Sequence, residues 1–137
     1  MAKLTEEMKA LMTSQLKYIA TASRDGVPSV GPKGSTKVLD DEHIVFYEVV
    51  GRHTYENIKE NPKVAIAVVD PSKMQGFRFQ GTAELITEGP LFEEAENFSR
   101  LMKLPPPIAT VKVKVEEIYD LGAGGPGGPG GPGDKVA

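Results

Sequence analysis

Three tight turn signals divide runs of β-forming residues along this chain, and their brevity restricts the fold more than any other feature. Asp25-Gly26 follows the run at 16–22, Asp40-Asp41-Glu42 lies between 36–39 and 43–50, and Asp70-Pro71-Ser72 follows 64–69. A parallel pair of strands needs a crossover of about a dozen residues, whereas an antiparallel pair closes through about two to five. Connections this short force the strands they join to run antiparallel. The Asp-Gly pair also supplies the positive φ angles of tight hairpin turns, so 27–31 is expected to return alongside 16–22. Pro32 and Gly34 break that returning strand, as at a bulge or where backbone approaches a ligand closely.

The remaining segments sort by period. Residues 5–15 place Met8, Leu11 and Met12 at helical spacing, with Glu6 and Glu7 in the first turn, where acidic side chains suit the helix dipole. A short helix at 54–60 is expected to stop at Asn61-Pro62, because the proline ring disfavours helical geometry at the residue before it. Phe92, Ala95, Phe98 and Leu101 mark a third helix at 91–101, with Pro105-Pro106-Pro107 as its stop. Residues 64–69 are wholly apolar, the pattern of a strand buried on both faces, while 76–87 puts Phe77 and Phe79 on one face. Val111, Val113 and Val115 alternate with Lys112, Lys114 and Glu116, as in a half-buried strand over 109–121. About six strands and three helices, joined mostly by hairpins, predict a mainly β, α+β fold: an antiparallel barrel with helices at its edges.

Residues 1–121 make one domain on this reading. From Gly122 onward Gly-Gly-Pro recurs three times, and such a stretch cannot bury apolar surface, so 122–137 is expected to be a flexible tail. A sharper alternative is that it drapes over a partner subunit near a ligand. The chain has no cysteine, which excludes disulfides, thiolate metal sites, iron–sulfur ligation and a cysteine nucleophile. Any redox chemistry therefore needs a bound organic cofactor. His43 and His53 have no acidic ligand motif around them, so no metal site is expected. A net charge of −3 with mixed signs speaks against a nucleic-acid surface, and no apolar run is long enough to span a membrane. Met1-Ala2-Lys3 leads into a charged amphipathic segment without a signal-peptide pattern, which makes the cytoplasm the expected compartment.

Polar chemistry concentrates at Gly51-Arg52-His53-Thr54-Tyr55-Glu56-Asn57, where a strand hands over to a helix. A helix start has unpartnered N–H groups and a positive partial charge, so it attracts anions. Arg52 and His53 add donors and Thr54 offers an N-cap hydroxyl, a set that suits a phosphate. Plain helix capping is the alternative for the same residues.

These motifs follow one another in a definite order: Asp25-Gly26, then Val30-Gly31-Pro32-Lys33-Gly34-Ser35-Thr36-Lys37-Val38-Leu39-Asp40, then Arg52 to Asn57, then Asn61-Pro62-Lys63-Val64-Ala65. In that order and spacing the chain resembles the pyridoxamine 5'-phosphate oxidase-like FMN-binding split-barrel family, and most of all its short single-domain FMN-binding proteins. Gly81 and Ala83 fit too, and the likeness spans residues 5–121. The resemblance implies a homodimer of six-stranded split barrels with one FMN at each end of the subunit interface. It implies that Val30, Gly31, Pro32, Lys33 and Ser35 run beside the flavin ring and ribityl chain. Val50, Arg52, His53 and Thr54 would receive the phosphate, with Lys37 as a helper, while Asn57 would tie the helix to a neighbouring loop. Gly31 and Gly34 suit this role, because a residue without Cβ lets backbone approach a flat ring. His53 departs from the lysine or arginine that many relatives carry before the threonine, and so replaces a permanent cation. The arginine-rich substrate-phosphate site of the true oxidase is missing near the chain end, so vitamin B6 oxidation is not expected.

No acid–base pair stands out, and no catalytic side chain is assigned; a bound FMN would carry the chemistry. Three functions follow. One is an oxidoreductase passing hydride or electrons between a reduced nicotinamide or deazaflavin and an acceptor, neither of which is legible in the chain. Another is a non-enzymatic FMN electron carrier. The third is a haem-binding split barrel with His43 or His53 as axial ligand.

Overall fold

A computed structural model describes residues 2–50, 53–122 and 134–137. Among them the elements run α1 (Glu6–Ser14), β1 (Lys17–Ala22), β2 (Pro28–Pro32), β3 (Lys37–Asp40), β4 (His43–Glu48) and α2 (His53–Glu60). They continue with β5 (Lys63–Asp70), β6 (Gln75–Ile86), α3 (Pro90–Leu101), β7 (Ala109–Asp120) and β8 (Asp134–Lys135). The strands form one sheet in the order β2-β1-β5-β6-β7-β4-β3, with β8 added to β7, and every pairing is antiparallel. Ile19 of β1 and Phe46 of β4 stand far apart in that order yet share one core with Ile66, Phe79 and Val113. The sheet therefore curls on itself as a split barrel.

Local chemistry sets the boundaries. Thr5 caps α1, its Oγ1 accepting from the Met8 N–H at 3.3 Å, while the Met8 sulfur accepts from the Thr5 N–H at 3.4 Å. Met8, Leu11 and Met12 then enter the barrel core. At the other end of α1, buried Lys17 donates to the Met12 carbonyl at 2.8 Å, where a cation suits the helix dipole. Burial pulls the Lys17 ammonium below the usual lysine range. The β1–β2 hairpin closes through the Ser23 N–H to the Val27 carbonyl at 3.0 Å, with Gly26 at φ +86°. Only the glycine of the Asp-Gly pair takes a positive φ.

Several expectations need correction. Seven strands build the barrel sheet rather than six, because the break at Pro32 and Gly34 produces two strands instead of one interrupted strand. The Thr36 N–H donates to the Lys33 carbonyl at 3.1 Å, so the chain turns away from β2 and β3 pairs with β4 instead. β5 is buried on one face only: Val64, Ile66 and Val68 point inward, while Ala65 and Ala67 are half-buried and Val69 is exposed. No helix of the described residues covers that outer face.

α3 stops at Leu101, before the three prolines. Lys103 adopts φ +56° and the Leu104 N–H donates to the Ser99 carbonyl at 2.8 Å, the left-handed cap that glycine adopts without strain. Lys103→Gly is accordingly expected to raise stability by about 0.5–1 kcal/mol. A urea midpoint at or below that of the parent protein would contradict this.

The tail reading falls mostly on 123–133, outside the described residues. Residues 134–137 lie along β7, where the Val136 N–H donates to the Ile118 carbonyl at 2.8 Å and the Ile118 N–H to the Ala137 carbonyl at 3.0 Å. Among the described residues, no helix is long and apolar enough to cross a membrane, and no group of three or more His, Cys, Asp or Glu could hold a metal ion.

Candidate functional site

The turn after β2, the end of β4 and the end of α3 meet around a cleft of about 400 Å³. Pro32, Lys33, Gly34 and Ser35 form one wall and Tyr47, Val49 and Val50 another. Phe98, Met102 and Leu104 complete it. The Tyr47 N–H donates to Ser35 Oγ at 2.9 Å, which pins the β2–β3 turn to β4. The Tyr47 and Phe98 rings pack at 5.2 Å between centroids, tilted by 53°, so α3 is fastened to β4 across the back of the cleft. Lys37 Nζ stands 5.6 Å from the Tyr47 ring centroid.

Charge is fixed on this wall as well. Lys33 Nζ lies 3.1 Å from Glu48 Oε1 and 3.0 Å from Oε2, and the Glu48 side chain is only 1% exposed. A carboxylate that deep is costly to leave unpaired, so the pair holds together and the Lys33 ammonium keeps a set position. Lys33 is thereby oriented beside an otherwise mainly apolar cavity.

A second cavity of about 300 Å³ lies between the β1–β2 hairpin and the start of α2, lined by Ser23, Val27, Pro28, Ser29, His53 and Asn57. α2 begins at His53, one residue earlier than expected, so half-buried Thr54 sits inside the first turn rather than at the cap. Buried Asn57 donates from Nδ2 to Thr21 Oγ1 at 3.1 Å. It ties α2 to strand β1, not to a loop as expected, because its side chain points inward over the sheet.

The nine candidates thus divide. Pro32, Lys33, Ser35 and Val50 come together at the larger cleft, and His53 lines the smaller one. Arg52 lies outside the described residues. Val30 is 71% exposed and pairs with Ala20 on β2, while Gly31 pairs with Ile19. A Cβ added at Gly31 or Gly34 meets nothing within 4 Å, so the protein's own packing does not require either glycine. Sequence reading missed Tyr47, Glu48, Met102 and Leu104 and took Phe98 only as a core residue of its helix. The one signal present was Glu48 closing an apolar strand, an acid in a position where solvent is scarce.

Comparison with known proteins agrees with this architecture. Residues 4–122 match the family model described as pyridoxamine 5'-phosphate oxidase. An uncharacterised protein of Methanocaldococcus jannaschii is 38% identical over 125 residues, covering 89% of this chain and 83% of that one. HupZ of Group A Streptococcus superposes with a TM-score of 0.83 at 34% identity, over 98% of this chain and 99% of that chain. A protein of Syntrophomonas wolfei described as FMN-binding gives a TM-score of 0.73 over 85% of this chain and 84% of its own, and at 17% identity it shows the shared fold alone. With its split barrel and a match running through every strand from β1 to β7, the chain belongs to the pyridoxamine 5'-phosphate oxidase family.

Proposed function

We propose that this protein is an FMN-binding flavoprotein that passes hydride or electrons through its cofactor and works as a homodimer. The observation that carries the reading is the larger cleft. Residues of two separate flavin-matched segments, Pro32 to Ser35 and Val50, line it together with the rings of Tyr47 and Phe98. Its volume of about 400 Å³ lies within the usual range for small-molecule sites. A Cβ built on Gly31 or Gly34 would stand in open space, so a flat ring can approach the backbone closely at either position. The choice of FMN rests on the resemblance of segments 30–35 and 50–54 to the flavin-contacting segments of the family that the chain matches.

Bound FMN would supply the hydride and electron chemistry. The chain's own residues bind and orient. Lys33, held by Glu48, favours negative charge on a ring beside it. The Ser35 hydroxyl accepts from the Tyr47 N–H and keeps its own proton available as a donor. His53 and Thr54 stand in the first turn of α2, where free N–H groups favour a phosphate, and Arg52 adds a cation next to them in sequence. Tyr47, Phe98 and Leu104 keep water off one side of the cavity.

The homodimer rests on the outer sheet face. Ala20 and Ala22 of β1 and Ala65 and Ala67 of β5 form a half-buried strip of small residues, flanked by exposed Tyr18, Val30 and Val69. A second sheet can approach such a strip closely, and stable interfaces of this type bury on the order of 2,000 Å². Light scattering is expected to give twice the chain mass. A monomer mass at all concentrations would contradict the dimer.

Reaction of the FMN-loaded protein with reduced nicotinamide tests the chemistry. Repeated bleaching and recovery of the flavin colour in air supports an oxidoreductase. A flavin that reduced nicotinamide leaves untouched, but that exchanges electrons rapidly with a redox protein, makes it a carrier. A flavin inert to both overturns the redox reading.

A further inference from the structure

We propose that the pair formed by Lys33 and Glu48 sets the balance between the two redox states of the cofactor, with Lys33 favouring reduced FMN and Glu48 limiting that preference. The inference rests on the FMN reading above and gives the two members of one ion pair opposite effects on the same ligand. On β4 the side chains alternate, so Tyr47 faces the larger cleft while Glu48 shares the inward face of Phe46. Among the described residues that line the cleft, Lys33 carries the one charged side chain, and Glu48 does not line it. Their side chains are 23% and 1% exposed. The pair is therefore a dipole set across the wall, its positive end toward the cavity and its negative end behind.

Two features make that dipole count. A lysine on a turn ordinarily spreads its ammonium over many rotamers, but Lys33 Nζ stands 3.1 Å from Glu48 Oε1 and 3.0 Å from Oε2. Its charge is held in place. The walls around it are apolar, with Val49, Val50, Phe98 and Leu104 where an open surface has water, so its field is screened far less. Lys37, the other lysine on this wall, is exposed with Nζ 5.6 Å from the Tyr47 ring centroid, and solvent damps its field.

The ring of oxidised FMN is uncharged, and two electrons taken up with one proton leave one net negative charge on it. A fixed cation stabilises that added charge, while a carboxylate behind the cation opposes it from further away. Lys33 thus draws electrons onto the cofactor. Glu48 offsets part of the pull, so that an acceptor is still able to take them. By linkage, the ratio of the affinities for reduced and oxidised FMN is also a shift of the midpoint potential. Each factor of ten in that ratio is about 30 mV for a two-electron couple.

Oxidised FMN and, without air, dithionite-reduced FMN are titrated into the full-length protein and into Lys33→Met, Lys33→Arg, Glu48→Gln and the double variant Lys33→Met with Glu48→Gln. Lys33→Met is expected to lower the reduced-to-oxidised affinity ratio about tenfold, or about 30 mV, and Lys33→Arg to keep it. Glu48→Gln is expected to raise the ratio about threefold, because the amide still accepts from the ammonium but no longer offsets its charge. The double variant leaves neither charge unpaired, so it keeps the test open if a lone buried ion unfolds a single variant, and its ratio is expected to lie below that of the parent protein. A pair that merely fastens the β2–β3 turn to β4 moves both single variants the same way. If they do shift together, if neither shifts, or if the double variant keeps the parent ratio, the proposal fails and the FMN reading stands. A parent protein that binds neither form of FMN overturns both.

Discussion

Gly81→Ala is expected to leave little folded protein. A Cβ built on Gly81 lies 1.9 Å from the Lys114 carbonyl oxygen and 2.9 Å from the carbonyl carbon. Those atoms are backbone, so they cannot rotate aside as a flexible side chain would. The register between β6 and β7 shifts at Gln80 and Gly81, which makes this the bulge on which the two longest strands cross. Relief requires prising β6 from β7, and overpacking that moves backbone reaches the upper end of the usual penalty, about 3 kcal/mol or more. Gly34→Ala provides the contrast. Its Cβ meets nothing within 4 Å, so stability should stay within about 0.5 kcal/mol of the parent protein while FMN affinity falls, because the methyl enters the cleft. Paired urea titrations and FMN titrations read both effects. Equal stability of the two variants would contradict the bulge, and unchanged FMN binding by Gly34→Ala would move the flavin out of the cleft.

Replacing Arg52 and Thr54 together by alanine is expected to weaken FMN binding by about 100-fold or more, and riboflavin binding hardly at all. Hydrogen bonds to a charged group contribute about 1.5–3 kcal/mol each, and two of them account for that factor. Riboflavin has the same ring and ribityl chain without the phosphate, so the ratio of the two affinities isolates the anion. Stability should change little, since Thr54 is only half-buried and buried Asn57 still anchors α2 to Thr21. Isothermal titration with both ligands is the measurement. A parallel loss for FMN and riboflavin would place the phosphate away from the start of α2.

Much of the barrel was legible because its determinants are local. The Asp25-Gly26 hairpin, the helical spacing of Met8, Leu11 and Met12 in α1 and the shared face of Phe77 and Phe79 each follow from residues close in sequence. The misreadings lie where distant parts decide. Whether β5 is covered on its outer face depends on what packs there, and an apolar run such as 64–69 reads the same either way. The end of α3 at Leu101 was read correctly but its stop was assigned to the prolines, because nothing marks Lys103 for a left-handed backbone, an uncommon conformation for a residue with a Cβ. The cleft was half visible. Pro32, Lys33 and Ser35 sit in a segment whose glycines announce close approach, whereas Tyr47, Glu48 and Phe98 reach the same place from interiors of regular elements. A residue inside an element shows its period, not which cavity its far end lines.

The central claim is tested most directly by incubating the purified protein with FMN, separating free ligand by gel filtration and recording the visible spectrum of the protein peak. The account predicts a flavin spectrum that co-elutes with the dimer at one FMN per chain. FMN eluting apart from the protein, or a protein peak that takes up haem and not flavin, would contradict it.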